Sequence, residues 1–153
     1  MTPAEARLRG VVRSAIQEYD RDAHQSWVES HVTSPGFPDL DVCSNGRVRQ
    51  VELKVTKVGG EIVIRPTQYR WFKDRVRAGS NPLMWVAHEK WHIIVPGFMV
   101  WGLDNVNTLL DALCEIPNMM NLNKNMPAYQ SDVKFHMFTN PVDAVRHIFE
   151  YIK

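Results

Sequence analysis

The chain is short of cysteine, of net charge and of long apolar runs, and each shortage removes a class of protein. Cys43 and Cys114 stand alone with no CxxC pair, which reads as two reduced, buried thiols in a cytoplasmic protein rather than a disulfide. No run of about 18 apolar residues and no basic-then-apolar leader is present, so neither a membrane span nor a secretory signal is expected. With Lys+Arg at 18 and Asp+Glu at 17, the formal net charge is +1, which makes no global case for nucleic acid. Internal repeats and low-complexity tracts are also missing.

What is present argues for one domain with a real core: 44% of the 153 residues are hydrophobic, and five are tryptophan. A chain of this length removes about two-thirds of its unfolded surface from water. Its charge is unevenly placed. From Arg47 to Arg77 nine Lys/Arg face only three acids, Glu52, Glu61 and Asp74. Such a run is either a solvated face or a basic field suited to a phosphodiester.

The chain is organised around Gly36-Phe37-Pro38-Asp39-Leu40 and Val51-Glu52-Leu53-Lys54-Val55, with Asn45-Gly46 between them. Asn-Gly is the strongest short-range signal for a tight hairpin. Residues i and i+2 of a strand share a face, so Glu52 and Lys54 point one way and Val51, Leu53 and Val55 the other. The hairpin brings Asp39 alongside, and two carboxylates and a lysine converge on one side of a sheet.

Upstream, Thr2-Pro3-Ala4-Glu5 reads as a helix start. Leu8, Val11, Val12, Ala15, Ile16 and Tyr19 then repeat at helical spacing, giving an amphipathic helix from about Pro3 to Tyr19. Glu5 either closes the capping box or aims a third carboxylate at the site, and Glu18 is a weaker candidate. Strands are expected over Gln25 to Val32, Pro38 to Cys43 and Arg47 to about Lys57, with a turn over Thr33 to Gly36 and Asp41 as a reserve ligand. A short extended run, Glu61 to Ile64, leads into a helix from Thr67 to Ala78 stopped by Gly79. Gln68, Trp71, Phe72, Arg75 and Val76 follow its inward period, while Arg70, Lys73 and Arg77 lie further out. Gln68 is either a packing residue or part of the adjacent site.

Leu83 to Ala87 and Trp91 to Val95 are β-rich and joined by His88-Glu89-Lys90. Further on, Asn107 to Glu115 reads as a short helix, Pro117 to Asp132 as a long loop and Val133 to Phe138 as a last strand. Asn140-Pro141 caps a final helix whose buried side carries Val142, Val145, Ile148, Phe149 and Ile152.

Asp39, Glu52 and Glu5 are hard oxygen donors, which suit Mg²⁺ or Mn²⁺ and not zinc. Two carboxylates about 4 Å apart repel by roughly 4 kcal/mol at an effective dielectric near 20, and a cation resolves that repulsion. A divalent ion could polarise a phosphoryl oxygen, with Lys54 positioning water or neutralising charge on the phosphate.

These residues resemble the PD-(D/E)XK nuclease superfamily. Pro38-Asp39 looks like its PD element, Glu52-Leu53-Lys54 like its (D/E)XK element, and Gln68-Tyr69-Arg70-Trp71 is similar to the glutamine-led helix of many members. Glu5 matches the acidic residue that many members carry on the first helix. Within the superfamily the pattern looks most like phage-type and archaeal Holliday-junction resolvases and virus-type replication-repair nucleases. The resemblance covers about residues 3 to 95; residues 96 to 153 are expected as a C-terminal extension packed on that core. It implies an α/β fold of the α+β mixed-sheet kind, with a central mixed sheet flanked by helices. It also implies Mg²⁺-dependent hydrolysis of DNA phosphodiesters, with Glu5, Asp39 and Glu52 as metal ligands, Lys54 catalytic and Gln68 orienting substrate or water. Arg7, Arg9, Lys57, Arg65, Arg70 and Lys73 become candidates for DNA-backbone contacts. Branched DNA is the expected substrate and a homodimer the expected assembly, with no membrane partner.

Two rival readings stand beside this one. His88-Glu89-Lys90-Trp91-His92 fits HExxH literally, with Glu115 as a conceivable third ligand, but that motif needs both histidines on one helical face and the surrounding residues are β-formers. The second is the same fold with an idle site, holding DNA or a partner; Trp27, Trp101 and Tyr129 could stack on unpaired bases, or serve as core or interface packing. A nuclease acting on flaps or single strands is an alternative within the enzyme class.

Overall fold

The computed structural model of the chain describes residues 1–29, 35–100, 103–107 and 136–152. Within them the order is α1 (Pro3–Tyr19), β1 (His24–Trp27), β2 (Leu40–Ser44), β3 (Arg47–Val55), α2 (Pro66–Arg77), β4 (Leu83–His88), β5 (Trp91–Pro96), β6 (His136–Phe138) and α3 (Pro141–Glu150). Short 3₁₀ turns follow β3 and β5, at Val58–Gly60 and Gly97–Met99. Residues 108–115 of the helix expected over Asn107 to Glu115, the loop over Pro117 to Asp132, residues 30–34 of the expected first strand and turn, residues 133–135 of the expected last strand, and Cys114, Trp101 and Tyr129 lie outside the described residues.

The six strands form one sheet in the order β1-β2-β3-β4-β5-β6. Only β3 and β4 run parallel, joined by the α2 crossover; the other neighbours are antiparallel. This is a mixed sheet with helices, the α+β class expected from the sequence. The β2-β3 turn is the Asn45-Gly46 hairpin, with φ of 50° and 77° at its two central residues. Positive φ at both is what a type I′ turn requires, and Asn-Gly tolerates it best.

Both faces of the central strands are buried. On one face Leu8, Val12 and Ile16 of α1 and Val145, Ile148 and Phe149 of α3 pack on Leu40, Val42, Val51, Leu53, Leu83 and Trp85. On the other, Phe72 of α2 packs with Met84, Val86, Ile93 and Val95, and with Val100, Leu103 and Val106. This double burial explains the near-continuous apolar run of β4 and β5, where a half-exposed strand would alternate. Val11, expected on the buried stripe of α1, instead faces out at 39% exposure. Arg75, expected inward on α2, is exposed and lies over the Trp71 ring.

Strand ends differ from the expectation by a few residues. The first strand stops at Trp27 and the third at Val55, because the pairing that defines them ends there. Glu61 to Ile64 forms no strand; Glu61 makes a single bridge to Asn105.

The loop entering β2 is pinned to α2. Gly36 has φ +83°, and a Cβ added there would meet the Thr67 carbonyl oxygen at 2.2 Å. Phe37 sets its edge against Trp71, with ring centroids 5.5 Å apart. Gly36→Ala combines a left-handed backbone with a backbone clash and is expected to cost about 2 kcal/mol or more, lowering Tm by on the order of 5 °C in a thermal melt. An unchanged Tm would show that this loop docks on α2 without needing the glycine.

Candidate active site

β3 changes partner halfway. Its residues Arg47 to Val51 pair with β2, and Val51 to Val55 pair with β4. Beyond Val51 its β2-facing flank is therefore open, and a cleft of about 430 Å³ forms there. Glu5, Leu8 and Arg9 of α1 line one side and Arg65 and Gln68 of α2 the other, with Asp39, Glu52, Lys54 and Lys57 between them.

Asp39 finishes the ladder with its side chain. Leu53 N–H, the first donor past the last β2 pair, donates to Asp39 Oδ2 at 2.9 Å, and Val28 N–H donates to the Asp39 carbonyl at 2.8 Å. An ionised acceptor shortens and strengthens such a bond.

Glu52 points to the α2 face and is 3% exposed. Its Oε1 accepts from Gln68 Nε2 at 2.6 Å and lies 3.5 Å from Lys54 Nζ. Its Oε2 is buried with no hydrogen-bond partner among the described residues. Burial, reinforced by the nearby Asp39 charge and only partly offset by Lys54 and Arg65, pushes the carboxyl up to about 8.

Gln68 joins the site to α2. Its Oε1 accepts from Lys54 Nζ and from Arg65 N–H, both at 2.9 Å, while its Nε2 serves Glu52. A single amide thus fixes a lysine, a carboxylate and the first turn of a helix. At 1% exposure, Gln68 is a packed residue that also lines the cleft.

Glu5 is exposed, and its carboxylate Oε2 accepts from Thr2 N–H at 2.8 Å while Thr2 Oγ1 accepts from Glu5 N–H. It closes the capping box and borders the cleft by the same placement. Among the described residues no group of three or more His, Cys, Asp and Glu is close enough to hold a metal ion. Asp39 and Glu52 both line the cleft, and Glu52 Oε2 has no hydrogen-bond partner among the described residues. That donor set fits a hard cation: Mg²⁺ is commonly held by one or two carboxylates and keeps several waters.

Arg9 was expected at the DNA backbone, and its contacts are internal. Its guanidinium donates to the Val28 carbonyl at 2.8 Å, lies 3.4 Å from Asp39 Oδ1 and 3.6 Å from Glu29, and stacks over Trp27. The signal was in the sequence, since Arg9 is one helical turn past Glu5 and shares its side of α1. Lys57 and Arg65 are exposed at the cleft. Arg70 and Lys73 are exposed on α2 outside the cleft lining, and Arg7 and Glu18 line a different groove on α1. Asp41 pairs in register with Ser26 and Gln50 and does not line the cleft. Trp27 is half-buried beneath Arg9 and Arg13.

The basic run divides between tasks. Arg47 donates to the Phe149 carbonyl and Arg49 to the Ile148 carbonyl at 3.0 Å, capping the C-terminal end of α3. The HExxH residues form a β-hairpin: His88 pairs with Trp91 and Ala87 with His92, so the two histidines take opposite sheet faces. His92 Nδ1 accepts from Trp85 Nε1 at 3.1 Å, and burial lowers its pKa, keeping it neutral. His88 instead meets the Thr56 hydroxyl at 2.9 Å. No zinc-protease geometry exists there.

No family model matches the chain, and no curated protein matches it.

The Glu52 shift fixes a pH dependence. The folded carboxyl keeps its proton to about 8, whereas the unfolded one loses it near 4.5. Metal-free stability is therefore expected to fall as pH rises from about 4.5 to about 8 and to level off on either side, by on the order of a few kcal/mol. Glu52→Gln carries no such charge. Its Tm should exceed that of the wild type at about pH 9 and match it near pH 4, and parallel pH profiles for the two proteins would reject the buried carboxylate as the source.

Proposed function

We propose that the chain is a Mg²⁺-dependent endonuclease of the PD-(D/E)XK type, hydrolysing DNA phosphodiesters and acting on branched DNA. The observation that carries this reading is the buried Oε2 of Glu52, without a hydrogen-bond partner among the described residues, in one cleft with Asp39 and an ammonium group. A carboxylate in that position is costly unless a proton or a cation occupies it.

Asp39 and Glu52 are the residues that would hold the metal, with Glu5 at the border of the cleft. Bound there, a divalent ion would supply Lewis-acid neutralisation of phosphate charge. Lys54 keeps its ammonium at the cleft by donating to Gln68 Oε1, and can turn a second proton toward a phosphate oxygen or a water. Gln68 prevents Lys54 from collapsing fully onto Glu52, since it binds both. Arg9 offsets the Asp39 charge from the α1 side.

The charge census favours a polyanion, and more strongly when metal is present. The cleft lining holds four acids, Glu5, Glu29, Asp39 and Glu52, and four cations, Arg9, Lys54, Lys57 and Arg65. With Glu52 protonated the empty cleft already carries a small positive excess, and a divalent ion enlarges it, so phosphate is attracted to the loaded site more than to the empty one. Lys57 and Arg65 are placed for backbone contacts at the cleft, and Arg70 and Lys73 for contacts beyond it on α2.

The test is cleavage of a labelled four-way junction beside matched duplex, flap and single-stranded DNA, with Mg²⁺, Mn²⁺ or EDTA. Metal-dependent cutting of the junction is the expected result; cutting of flaps or single strands alone moves the substrate, and no cutting of any DNA rejects an enzyme. Lys54→Ala should reduce the rate by about 10²-fold or more while changing junction affinity little. Saturating Mg²⁺ should also raise Tm by about 5 to 10 °C through mass action, and Asp39→Asn should remove most of that rise. A wild-type Tm indifferent to Mg²⁺ and Mn²⁺ would exclude this metal site.

A further inference from the structure

Of the four cations that line the cleft, Arg9 lies deepest. Its side chain is 11% exposed against 15% for Lys54, while Lys57 and Arg65 are exposed, so solvent screens its charge least. Four contacts fix the guanidinium. Nη2 donates to the Val28 carbonyl at 2.8 Å and lies 3.4 Å from Asp39 Oδ1, Nη1 lies 3.6 Å from Glu29 Oε1, and the central carbon sits 5.1 Å from the centroid of the Trp27 ring. Trp27 is held in turn, its Nε1 donating to Gln25 Oε1 at 3.0 Å.

The shortest of these bonds goes to a neutral carbonyl, and the approach to Asp39 is at the outer edge of hydrogen-bond range. Backbone and ring therefore position Arg9, and Asp39 meets a charge that it did not itself place. The Asp39 carboxylate is fixed from its other side as well, because Oδ2 accepts from Leu53 N–H at 2.9 Å while Oδ1 is turned to Arg9. A metal ion held by this carboxylate would have the guanidinium as a near neighbour.

We propose that Arg9 is a built-in competitor of the metal ion: it balances Asp39 while the cleft is empty, and its fixed charge holds Mg²⁺ affinity down when the cleft fills. The inference rests on reading Asp39 and Glu52 as the metal ligands. Coulomb repulsion scales with the product of the charges, so a divalent ion feels the guanidinium twice as strongly as a monovalent ion would at the same distance. Withdrawal of Arg9 would relieve that repulsion only by breaking its bond to the part-buried Val28 carbonyl and its stack on Trp27. Arg9 thus keeps two carboxylates together in a metal-free cleft and makes occupancy of the site follow the Mg²⁺ concentration instead of saturating at trace levels.

A brace and a competitor give opposite results on removal. A residue that only braced Asp39 would leave a looser ligand and weaker metal binding; a competing charge leaves stronger binding. The metal-free fold loses contacts in both cases.

The test is calorimetric titration of Mg²⁺ into the metal-free chain at one fixed pH, without DNA. Arg9→Gln keeps a donor for the Val28 carbonyl, and Arg9→Met keeps an apolar stem over Trp27, so two neutral variants guard against one failing to fold. Each should lower the Mg²⁺ Kd by about tenfold or more, although the metal-free Tm falls. Arg9→Lys keeps the charge and should stay within about threefold of the wild-type Kd. Mg²⁺ binding that is weakened or unchanged in the neutral variants overturns the proposal, and so does Arg9→Lys binding as tightly as they do. If the wild type binds Mg²⁺ and the neutral variants bind it equally, the role of Arg9 falls and the metal site stands. If neither the wild type nor the neutral variants bind it, the metal site falls and the proposal with it.

Discussion

β3 belongs to two ladders, and the rest of the molecule depends on the residue where it passes from one to the other. At Val51 the antiparallel pairing with β2 ends and the parallel pairing with β4 takes over. A parallel neighbour needs a crossover, and α2 supplies it, arriving over the face that Glu52 and Lys54 occupy. An antiparallel neighbour that stops early leaves a flank unpaired, and the cleft opens there. Site and topology have one cause.

The electrostatics follow from the same geometry. Because α2 covers Glu52, the carboxylate is nearly dry, and because β2 ends at Leu40, Asp39 is held close enough to oppose its ionisation. Gln68 is the only uncharged side chain binding both Glu52 and Lys54 among the described residues, and it takes its place from the first turn of α2. Displacing α2 would therefore alter the charge state of the site without touching any ionisable group.

The parts of this arrangement legible in the sequence are the local ones. Asn45-Gly46 gives the hairpin, the hairpin places Asp39 by Glu52, and the period of two sorts Glu52 and Lys54 from Val51 and Leu53. Thr2 and Glu5 give the start of α1, and Asn140-Pro141 the start of α3. What escaped depends on distant partners. Arg47 and Arg49 look like surface charge until α3 offers its terminal carbonyls, and nothing near them in the chain announces it. Arg9 counts as a generic cation until the β1 to β2 connection delivers the Val28 carbonyl and Asp39. Val11 fits the apolar period of α1, yet it is 39% exposed. Periodicity locates a stripe but not its edges, which are set by whatever packs against it.

The two arginines that cap α3 span nearly a hundred residues of sequence. Ordering of the sheet face beneath α1 therefore waits for the last helix, since Leu40, Val42 and Val51 share their core with Val145, Ile148 and Phe149. On a ribosome, the hairpin and α2 emerge well before that helix, and loop closure over such a distance is slow. Until then only α1 covers the face opposite α2, and the part that α3 covers stays exposed. During synthesis, this apolar surface is the part of the chain most open to a chaperone or to aggregation.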